Sequence, residues 1–181
     1  MTTLETPRLR LRKARAADLD AIWQNIWRDT SISRWMFWPP TDTLDAAKDR
    51  LERTMAFQRE NPYMYFVCLK ETDEAIGFAG MREIAPGVYE ESGVCVAARY
   101  QCAGLGKEIL GALLNRAFME QNADAFIAAH IEGNEKSKTV ITYWGFQYTH
   151  STEETREWDG AQLTTHFYRL DRQTFFQKQK L

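Results

Sequence analysis

The pattern of hydrophobic and polar positions changes period several times along the chain and so marks its helices and strands. Residues 8–12 alternate strictly between arginine and leucine, which predicts a strand with one buried face. Between residues 16 and 27, apolar side chains recur every three or four positions, which predicts an amphipathic helix. The same reasoning predicts further helices over 44–59, 105–118 and 137–144, and strands over 63–69, 75–81, 88–97, 125–131, 146–151 and 163–170.

Turn signals between these segments indicate how the strands are connected. A polar run at 71–74 and the sequence Ala85-Pro86-Gly87 separate three consecutive strands, which predicts an antiparallel meander. Because a helix lies between the strands at 88–97 and 125–131, these two strands are predicted to be parallel. The pattern therefore predicts an α/β fold in a single domain over 4–171, followed by a frayed tail over 172–181.

Composition and charge narrow the function classes open to such a domain. In the 181 residues, 23 Lys and Arg stand against 25 Asp and Glu, which gives a net charge of −2. This balance argues against nucleic acid or an anionic membrane surface as the main partner. No apolar run approaches the roughly 20 residues that cross a bilayer, and the amino terminus lacks a signal-peptide core. Three cysteines without metal-ligand spacing predict reduced thiols, no metal site and a cytoplasmic location.

The most informative chemistry lies where a predicted strand passes into a predicted helix. Gly104 and Gly106 allow the backbone to turn several amide N–H groups toward one point, and the helix adds its own unsatisfied donors. Such donors would cradle a phosphate or pyrophosphate, with Lys107 able to reach an outlying oxygen. The plain alternative is a helix start whose glycines serve close packing. The residues assigned to this loop are Gln101, Cys102, Ala103, Gly104, Leu105, Gly106 and Lys107.

Three nucleotide-binding patterns can be compared with this loop. The triphosphate-loop pattern fails because Glu108 stands where that pattern has a hydroxyl residue. The dinucleotide pattern fails because Ile109 stands where a third glycine belongs. Gln101, Gly104 and Gly106 fit Q/R-x-x-G-x-G/A, and so the loop resembles the pyrophosphate loop of coenzyme A-dependent N-acyltransferases.

Further blocks are similar to the same proteins, in the same order along the chain. The opening Glu5–Arg12 looks like a T-x-R-L-x-L-R start, and Glu91–Val96 is similar to an E-I-G-Y-x-I strand. Asn134–Ser137, followed by Gly145-Phe146, matches an N-x-x-S…G-F segment. Over about residues 4–170 the chain therefore resembles the GNAT superfamily of N-acetyltransferases, in the branch typified by RimJ/RimL-like ribosomal-protein alanine acetyltransferases.

This resemblance implies a fold and a reaction. The implied fold is a mixed, mostly antiparallel sheet of about seven strands flanked by helices, in the order β-α-α-β-β-β-α-β-α-β-β. The implied reaction moves an acetyl group from acetyl-CoA, the co-substrate, directly to a primary amine in a ternary complex. The amine could belong to a protein amino terminus or to a small molecule. Two alternatives are a non-catalytic acyl-CoA sensor with the same fold and a phosphate-binding module for another nucleotide.

The resemblance also implies which residues act on the thioester and the amine. Val94, Cys95 and Val96 would contact pantetheine where their strand bulges and separates from its neighbour. A backbone N–H of Cys95 or Val96 would donate to the oxyanion that forms during transfer. The amine must lose a proton, and Glu91 or Glu90 is the candidate base, because strand alternation aims only one of them at the site.

The departing thiolate needs a proton or a hydrogen bond. The position seven residues after Asn134 is Ile141 rather than a tyrosine, so the resemblance assigns this role to Ser137. Asn134 would orient the pantetheine amide or shape its own loop. His130, at the end of the preceding strand, is a further candidate base, and a hydrogen-bonded structural histidine is the alternative.

The acceptor pocket is predicted from two loops that line it in the proteins this chain resembles. Aromatic rings there, together with Glu153, Glu154 and Asp159, would hold an ammonium group by cation–π and Coulomb attraction. The alternative is a set of core aromatics that seal a loop. Exposed strand edges also make a homodimer plausible. The residues assigned to this pocket are Trp35, Phe37, Trp38, His130 and Trp158.

Overall fold

The structure, a computed structural model, describes residues 3–179. The strands are β1 (Leu4–Glu5), β2 (Leu9–Arg12), β3 (Met64–Leu69), β4 (Ala75–Ala85), β5 (Val88–Val96), β6 (Ala125–Ile131), β7 (Gln147–Thr155) and β8 (Gln162–Asp171). The helices are α1 (Leu19–Ile22), α2 (Thr30–Ser33), α3 (Leu44–Glu60), α4 (Leu105–Asn115), α5 (Glu135–Tyr143) and α6 (Arg172–Lys178). None of the described helices combines the length and apolarity needed to cross a membrane.

The eight strands form one sheet in the order β1-β2-β3-β4-β5-β6-β8-β7. β5 and β6 are parallel, as the intervening helix predicts, while β2–β3, β3–β4, β6–β8 and β7–β8 are antiparallel. The α/β fold with a mostly antiparallel mixed sheet is therefore confirmed. The strand beyond the predicted seven is β1, which pairs with β2 at Leu4 and Leu11. Its two residues are too few to show an alternating pattern.

The helix predicted over 16–27 consists of a 3₁₀ turn, one turn of α-helix and a π turn. A 3₁₀ turn at Ala16–Asp18 precedes α1, and a π turn at Trp23–Trp27 follows it. The tight first turn has a local cause, because the Asp18 carboxylate accepts a hydrogen bond from the Arg15 amide at 2.7 Å. The same carboxylate pairs with the buried Arg12 guanidinium at 2.8 Å. Side-chain bonds near the start of this helix thus override its regular period.

The last hairpin is longer than predicted. β7 and β8 pair from Gln147↔Arg169 to Thr155↔Gln162, so β7 extends four residues beyond the strand predicted over 146–151. Every residue of β7 is exposed, and no buried side chain marks its period in the sequence. The connecting turn is closed by an Arg156–Asp159 ion pair at 2.5 Å.

The described chain divides into two compact units. The first comprises the chain up to Gly80 together with Ser92–Leu105, and the second comprises Met81–Glu91 and the chain from Gly106 onward. In the first unit, Ile22, Ile26 and Phe66 are at most 1% exposed and belong to one buried cluster.

In the second unit, the core reaches the end of the chain. Phe118 and Phe175 are fully buried, with ring centroids 4.7 Å apart. The Arg172 guanidinium donates to the Phe118 and Ala123 carbonyls at 3.0 Å. The tail predicted to be frayed is therefore helix α6 over most of its length, because Phe175 anchors it in the core. Positions 180 and 181 of that predicted tail lie outside the described residues.

Candidate functional site

Strand β5 pairs with β6 only in its first part. Their ladder runs from Val88↔Ala125 to Glu90↔Ile127 and is recorded no further among the described residues. β8, in contrast, pairs with every residue of β6, from Ala125↔Asp171 to Ile131↔Thr165. Beyond Ile127, β6 pairs with β8 on one side. The backbone on its other side could pair with an extended ligand.

The second part of β5 is irregular and tightly packed. Gly93 has φ of 109°, a conformation that L side chains rarely adopt, and such a glycine marks a break in regular pleating. A Cβ atom at Gly77 of β4 would lie 2.0 Å from the Cys95 carbonyl oxygen, so only glycine fits there. Val94 is half-buried and Val96 is buried. The strand thus presents backbone, rather than long side chains, where pantetheine contacts are predicted.

The sulfur of Cys95 is unsuited to covalent chemistry. Its side chain is buried, and burial raises the pKa of the thiol well above its ordinary value. The thiolate is the nucleophilic form of cysteine, and an apolar interior disfavours it. Cys95 is thus expected to contribute its backbone and not its sulfur.

Two side chains fix the loop that follows β5. Gln101 donates from Nε2 to the Val96 carbonyl at 2.9 Å and so ties the loop to the end of its strand. Arg8 donates from Nη1 to the Ala103 carbonyl at 2.8 Å. Arg8 belongs to the alternating segment at the start of the chain, and nothing in that pattern distinguished it from a surface strand residue. Both hydrogen bonds hold the loop at residues that come before α4 begins at Leu105.

Two residues of this loop adopt left-handed backbone conformations. Cys102 has φ of 63° and Gly104 has φ of 80°, and both are exposed. Left-handed residues in a short turn direct neighbouring amide N–H groups toward one point, which forms a concave anion site. Leu105, the first residue of α4, is buried and anchors the start of the helix.

The two glycines of the loop are needed for different reasons. A Cβ atom at Gly106 would lie 3.1 Å from Val140 Cγ2, so close packing of α4 on α5 favours a glycine there. A Cβ atom at Gly104 would meet only the end of Arg8, at 3.6 Å. Close packing, the plain alternative, therefore accounts for Gly106, whereas Gly104 is explained by its left-handed φ.

Lys107 lies on an aromatic ring. Its ammonium is 4.1 Å from the centroid of Tyr143, and Lys178 lies 4.9 Å from the same centroid. The Lys107 carbonyl accepts a bond from the Trp144 indole at 3.0 Å. Lys107, which is predicted to reach a phosphate oxygen, thus contacts the ring of Tyr143, the last residue of α5.

At the start of α5, Asn134 and Ser137 have different roles. Asn134 Oδ1 accepts from the Ser137 amide at 3.2 Å and so caps the helix. This cap starts the helix at Glu135, two residues before the predicted position. No hydrogen bond of the Ser137 hydroxyl is recorded within residues 3–179. The hydroxyl can therefore donate to a ligand without disturbing the cap.

The two candidate carboxylates differ in their surroundings. Glu90 accepts from the Arg82 guanidinium at 2.7 Å and 3.1 Å, which commits it to an ion pair. Glu91 is half-buried and is the first residue beyond the ladder with β6. Of the two, Glu91 is thus the one next to the part of β5 that lies beyond the ladder.

His130 is buried, and both of its ring nitrogens have hydrogen-bond partners within the fold. It is 5% exposed, its Nδ1 lies 3.0 Å from the Ile131 carbonyl, and its Nε2 lies 3.1 Å from the Tyr168 hydroxyl. A carbonyl can only accept, which assigns the proton to Nδ1 and leaves Nε2 to accept from the tyrosine. Burial lowers the pKa of His130, so the neutral ring is favoured.

The tryptophans predicted to line the acceptor pocket are in contact with arginine guanidinium groups of the same chain. Arg34 lies 4.5 Å from the Trp35 ring centroid, and Arg50 lies 4.2 Å from that of Trp38. In the second unit, the Arg156 guanidinium lies 4.4 Å from the Trp158 ring centroid. Phe37 is 49% exposed. Rings assigned to a substrate ammonium thus already contact cations.

Sequence reasoning missed Arg50 as a functional candidate. The available signal was a second arginine three residues later in a predicted helix, which places both on one face. Within residues 3–179, no group of three or more His, Cys, Asp or Glu side chains is placed to hold a metal ion.

Comparison with known proteins identifies one family. Residues 8–147 match the model of the acetyltransferase (GNAT) domain. No curated protein matches the sequence.

Solved structures share the fold at low identity. An acetyltransferase of the GNAT family from Bacillus anthracis is 17% identical, with a TM-score of 0.80 over 95% of this chain and 99% of its own. The ribosomal-protein-S5-alanine acetyltransferase from Vibrio fischeri is 19% identical, with a TM-score of 0.75 over 95% and 97%. RimL, a ribosomal L7/L12 alpha-N-protein acetyltransferase in complex with coenzyme A, is 16% identical, with a TM-score of 0.77 over 94% and 98%.

Proposed function

Because this chain belongs to the GNAT acetyltransferase domain family, we propose that it transfers the acetyl group of acetyl-CoA directly to a primary amine. The observation that carries the proposal is the left-handed pair Cys102 and Gly104 at the start of α4. It supports diphosphate binding, because the concave turn and the helix start offer backbone donors to an anion.

The end of the β5–β6 ladder supports a site for the pantetheine arm. Beyond Glu90 and Ile127, an extended amide chain could pair with strand backbone as a further strand would. Val94, Cys95 and Val96 are proposed to supply these contacts. Holding the thioester and the amine together removes much of the entropic barrier to their reaction.

The proposed chemistry needs three groups of the chain. The amine nitrogen attacks the thioester carbonyl carbon, and Glu91 takes the proton that the nitrogen loses. An amide N–H of Cys95 or Val96 donates to the oxyanion. As the carbon–sulfur bond breaks, the Ser137 hydroxyl donates to the departing thiolate, and Asn134 keeps Ser137 in place as the helix cap.

The test combines binding with turnover. Calorimetry should detect acetyl-CoA binding, and a thiol assay should detect coenzyme A release in the presence of a panel of amines and peptides. The Gly104→Val substitution would place a side chain in the concave turn formed by Cys102 and Gly104. The affinity for acetyl-CoA should therefore fall about tenfold or more. Gly160→Val is the matched control, because Gly160 has a similar φ of 73° and open space around it.

Three outcomes would contradict the proposal. Equal affinities of Gly104→Val and Gly160→Val would remove the loop from the site. A lack of acetyl-CoA binding by the unmodified protein would exclude the reaction. Tight binding without turnover of any amine would favour a non-catalytic acyl-CoA sensor.

A further inference from the structure

Two arginines of α3 line a groove in the first unit. Arg50 and Arg53 are three residues apart and so lie on one face of the helix. Two adjoining cavities, of about 330 Å³ and about 410 Å³, share both arginines and Thr41 as lining residues. Trp38, predicted above to line the acceptor pocket, lines the second cavity.

The guanidinium of Arg50 is held in one orientation. It lies 4.2 Å from the ring centroid of Trp38 and 4.8 Å from that of Trp27. Its Nη1 donates to Thr41 Oγ1 at 2.9 Å. Without these two aromatic contacts and this hydrogen bond, the long side chain of Arg50 would extend its charged end into solvent. Arg53 is exposed at the rim of the groove.

No carboxylate within residues 3–179 is recorded in an ion pair with either arginine. Asp42 lines the first cavity, and Asp49 precedes Arg53 by one helical turn, yet neither forms such a pair. Burial, followed by the charge of Arg53, lowers the pKa of Arg50 to about 10. Burial of a guanidinium group favours pairing with an anion, and Arg50 is half-buried, so this groove has the charge to attract an anion.

Contacts within the first unit connect the groove to the irregular part of β5. Trp38 and Phe78 have ring centroids 6.3 Å apart. Phe78 Cε2 would lie 3.1 Å from a Cβ atom at Gly93, the glycine that breaks β5. A molecule whose one end lies against Arg50 could therefore direct its other end toward the segment proposed to hold the thioester.

We propose that this groove binds a negatively charged group, a carboxylate or a phosphate, on the amine acceptor. Arg50 supplies the fixed cation and Arg53 the exposed one, while the amine points toward Gly93. This assignment rests on the proposed function, because it names the acceptor class of that reaction. It differs from the expectation of an aromatic wall for an ammonium group, since the wall at Trp38 already carries a guanidinium.

Acceptors that differ only in charge test the proposal. The acceptors are the C-terminal α-amides of alanyl-glutamate, alanyl-glutamine, alanyl-lysine, alanyl-phosphoserine and alanyl-serine, of which the last two separate phosphate from carboxylate. The unmodified protein should use the acidic acceptors with kcat/KM about tenfold above the neutral ones. Arg53→Gln should remove this preference by raising the acceptor KM, with the KM for acetyl-CoA unchanged.

The matched control is Arg59→Gln, an exposed arginine later on the same helix that lines neither cavity. It should behave like the unmodified protein. Arg53→Glu should reverse the preference toward alanyl-lysine amide. Equal use of acidic and neutral acceptors, or an equal effect of Arg53→Gln on all of them, would overturn the proposal.

A binding experiment separates this proposal from the proposed function. Tryptophan fluorescence should report binding of N-acetylaspartate α-amide, which resembles a product, more tightly than the uncharged N-acetylasparagine α-amide, and Arg53→Gln should abolish the difference. If no amine is acetylated but this difference in binding is found, the groove is an anion site and the proposed acetyl transfer is rejected. If the two probes bind alike, or neither binds, the groove is not an anion site.

Discussion

The hydroxyl of Ser137 is separate from the interactions that hold its helix. Asn134 caps α5 through the Ser137 amide, so the side chain can be shortened without loss of the cap. We expect Ser137→Ala to lower kcat about 10- to 100-fold, the loss of one hydrogen bond to a developing charge, while the unfolding temperature stays the same.

Steady-state kinetics and thermal unfolding would check this expectation. Ser137→Thr keeps the hydroxyl and should retain more activity than Ser137→Ala. Asn134→Ala, which removes the cap, should lower the unfolding temperature as well as the rate. A Ser137→Ala protein with unchanged kcat would exclude the proposed role.

The three cysteines differ in reactivity because they differ in burial. Cys68 and Cys95 are buried, whereas Cys102 is exposed. Burial raises the pKa of the Cys68 thiol to about 12. We therefore expect a thiol reagent to modify Cys102 in the native protein within minutes, and all three cysteines only after denaturation. The modified residues can be identified by mass spectrometry of proteolytic fragments.

The raised pKa of Cys68 also has a consequence for stability. The unfolded chain forms the thiolate near its ordinary pKa of 9.0, but the folded chain forms it only near 12. Unfolding therefore becomes more favourable as pH rises above 9. Cys68→Ala should be less sensitive to pH between 9 and 11 than the unmodified protein, and equal slopes would contradict this.

Elements were predictable where the signals that start and end them are local. The sequence places a helix over 44–59, and α3 runs from Leu44 to Glu60 because the Thr43 hydroxyl accepts from the Ala46 amide at its start. α6 was missed because its only fully buried residue is Phe175, and one apolar contact makes no period. Elements fixed by distant contacts therefore escape a search for local patterns.

The packing of α4 on α5 is such a distant contact, and it can be tested. A Cβ atom at Gly111 would lie 2.5 Å from Trp144 Cζ2, inside the distance that real atoms adopt. We expect Gly111→Ala to destabilise the protein by about 1–3 kcal/mol through overpacking. Urea unfolding would measure this loss, with Asn115→Ala, at an exposed site of the same helix, as the control. Equal stability of the two variants would mean that the helices can move apart without cost.

The chain as a whole explains why the loop proposed to bind the diphosphate is easier to predict than the groove proposed to bind the acceptor. The loop at 101–107 is contiguous, and its glycines are visible in the sequence as a motif. The groove combines Trp38 with Arg50, and it reaches β5 through Phe78 and Gly93. These residues have ordinary individual explanations as core or surface, and only folding brings them together.

Stability of the first unit depends on a charge network around a turn. Asp73 accepts from Arg12 at 3.0 Å, Arg10 at 3.3 Å and Arg15 at 2.7 Å. The bond from Arg12, above all, lowers the pKa of Asp73 below its ordinary 3.8. A carboxylate with a lowered folded-state pKa stabilises the fold above its unfolded pKa, and this stabilisation is lost as pH falls through the folded value.

Asp73→Asn should therefore cost stability at pH 6 and cost much less at pH 3. The expected loss at pH 6 is about 1 kcal/mol, because Asp73 is a third exposed and solvent screens its pairs. The variant keeps the backbone, since Asp73 has φ of 58° and asparagine tolerates that conformation. Urea unfolding at both pH values would measure the difference, with the exposed Asp20→Asn as the control. An equal loss at pH 3 and pH 6 would show that Asp73 acts through its shape and not through its charge.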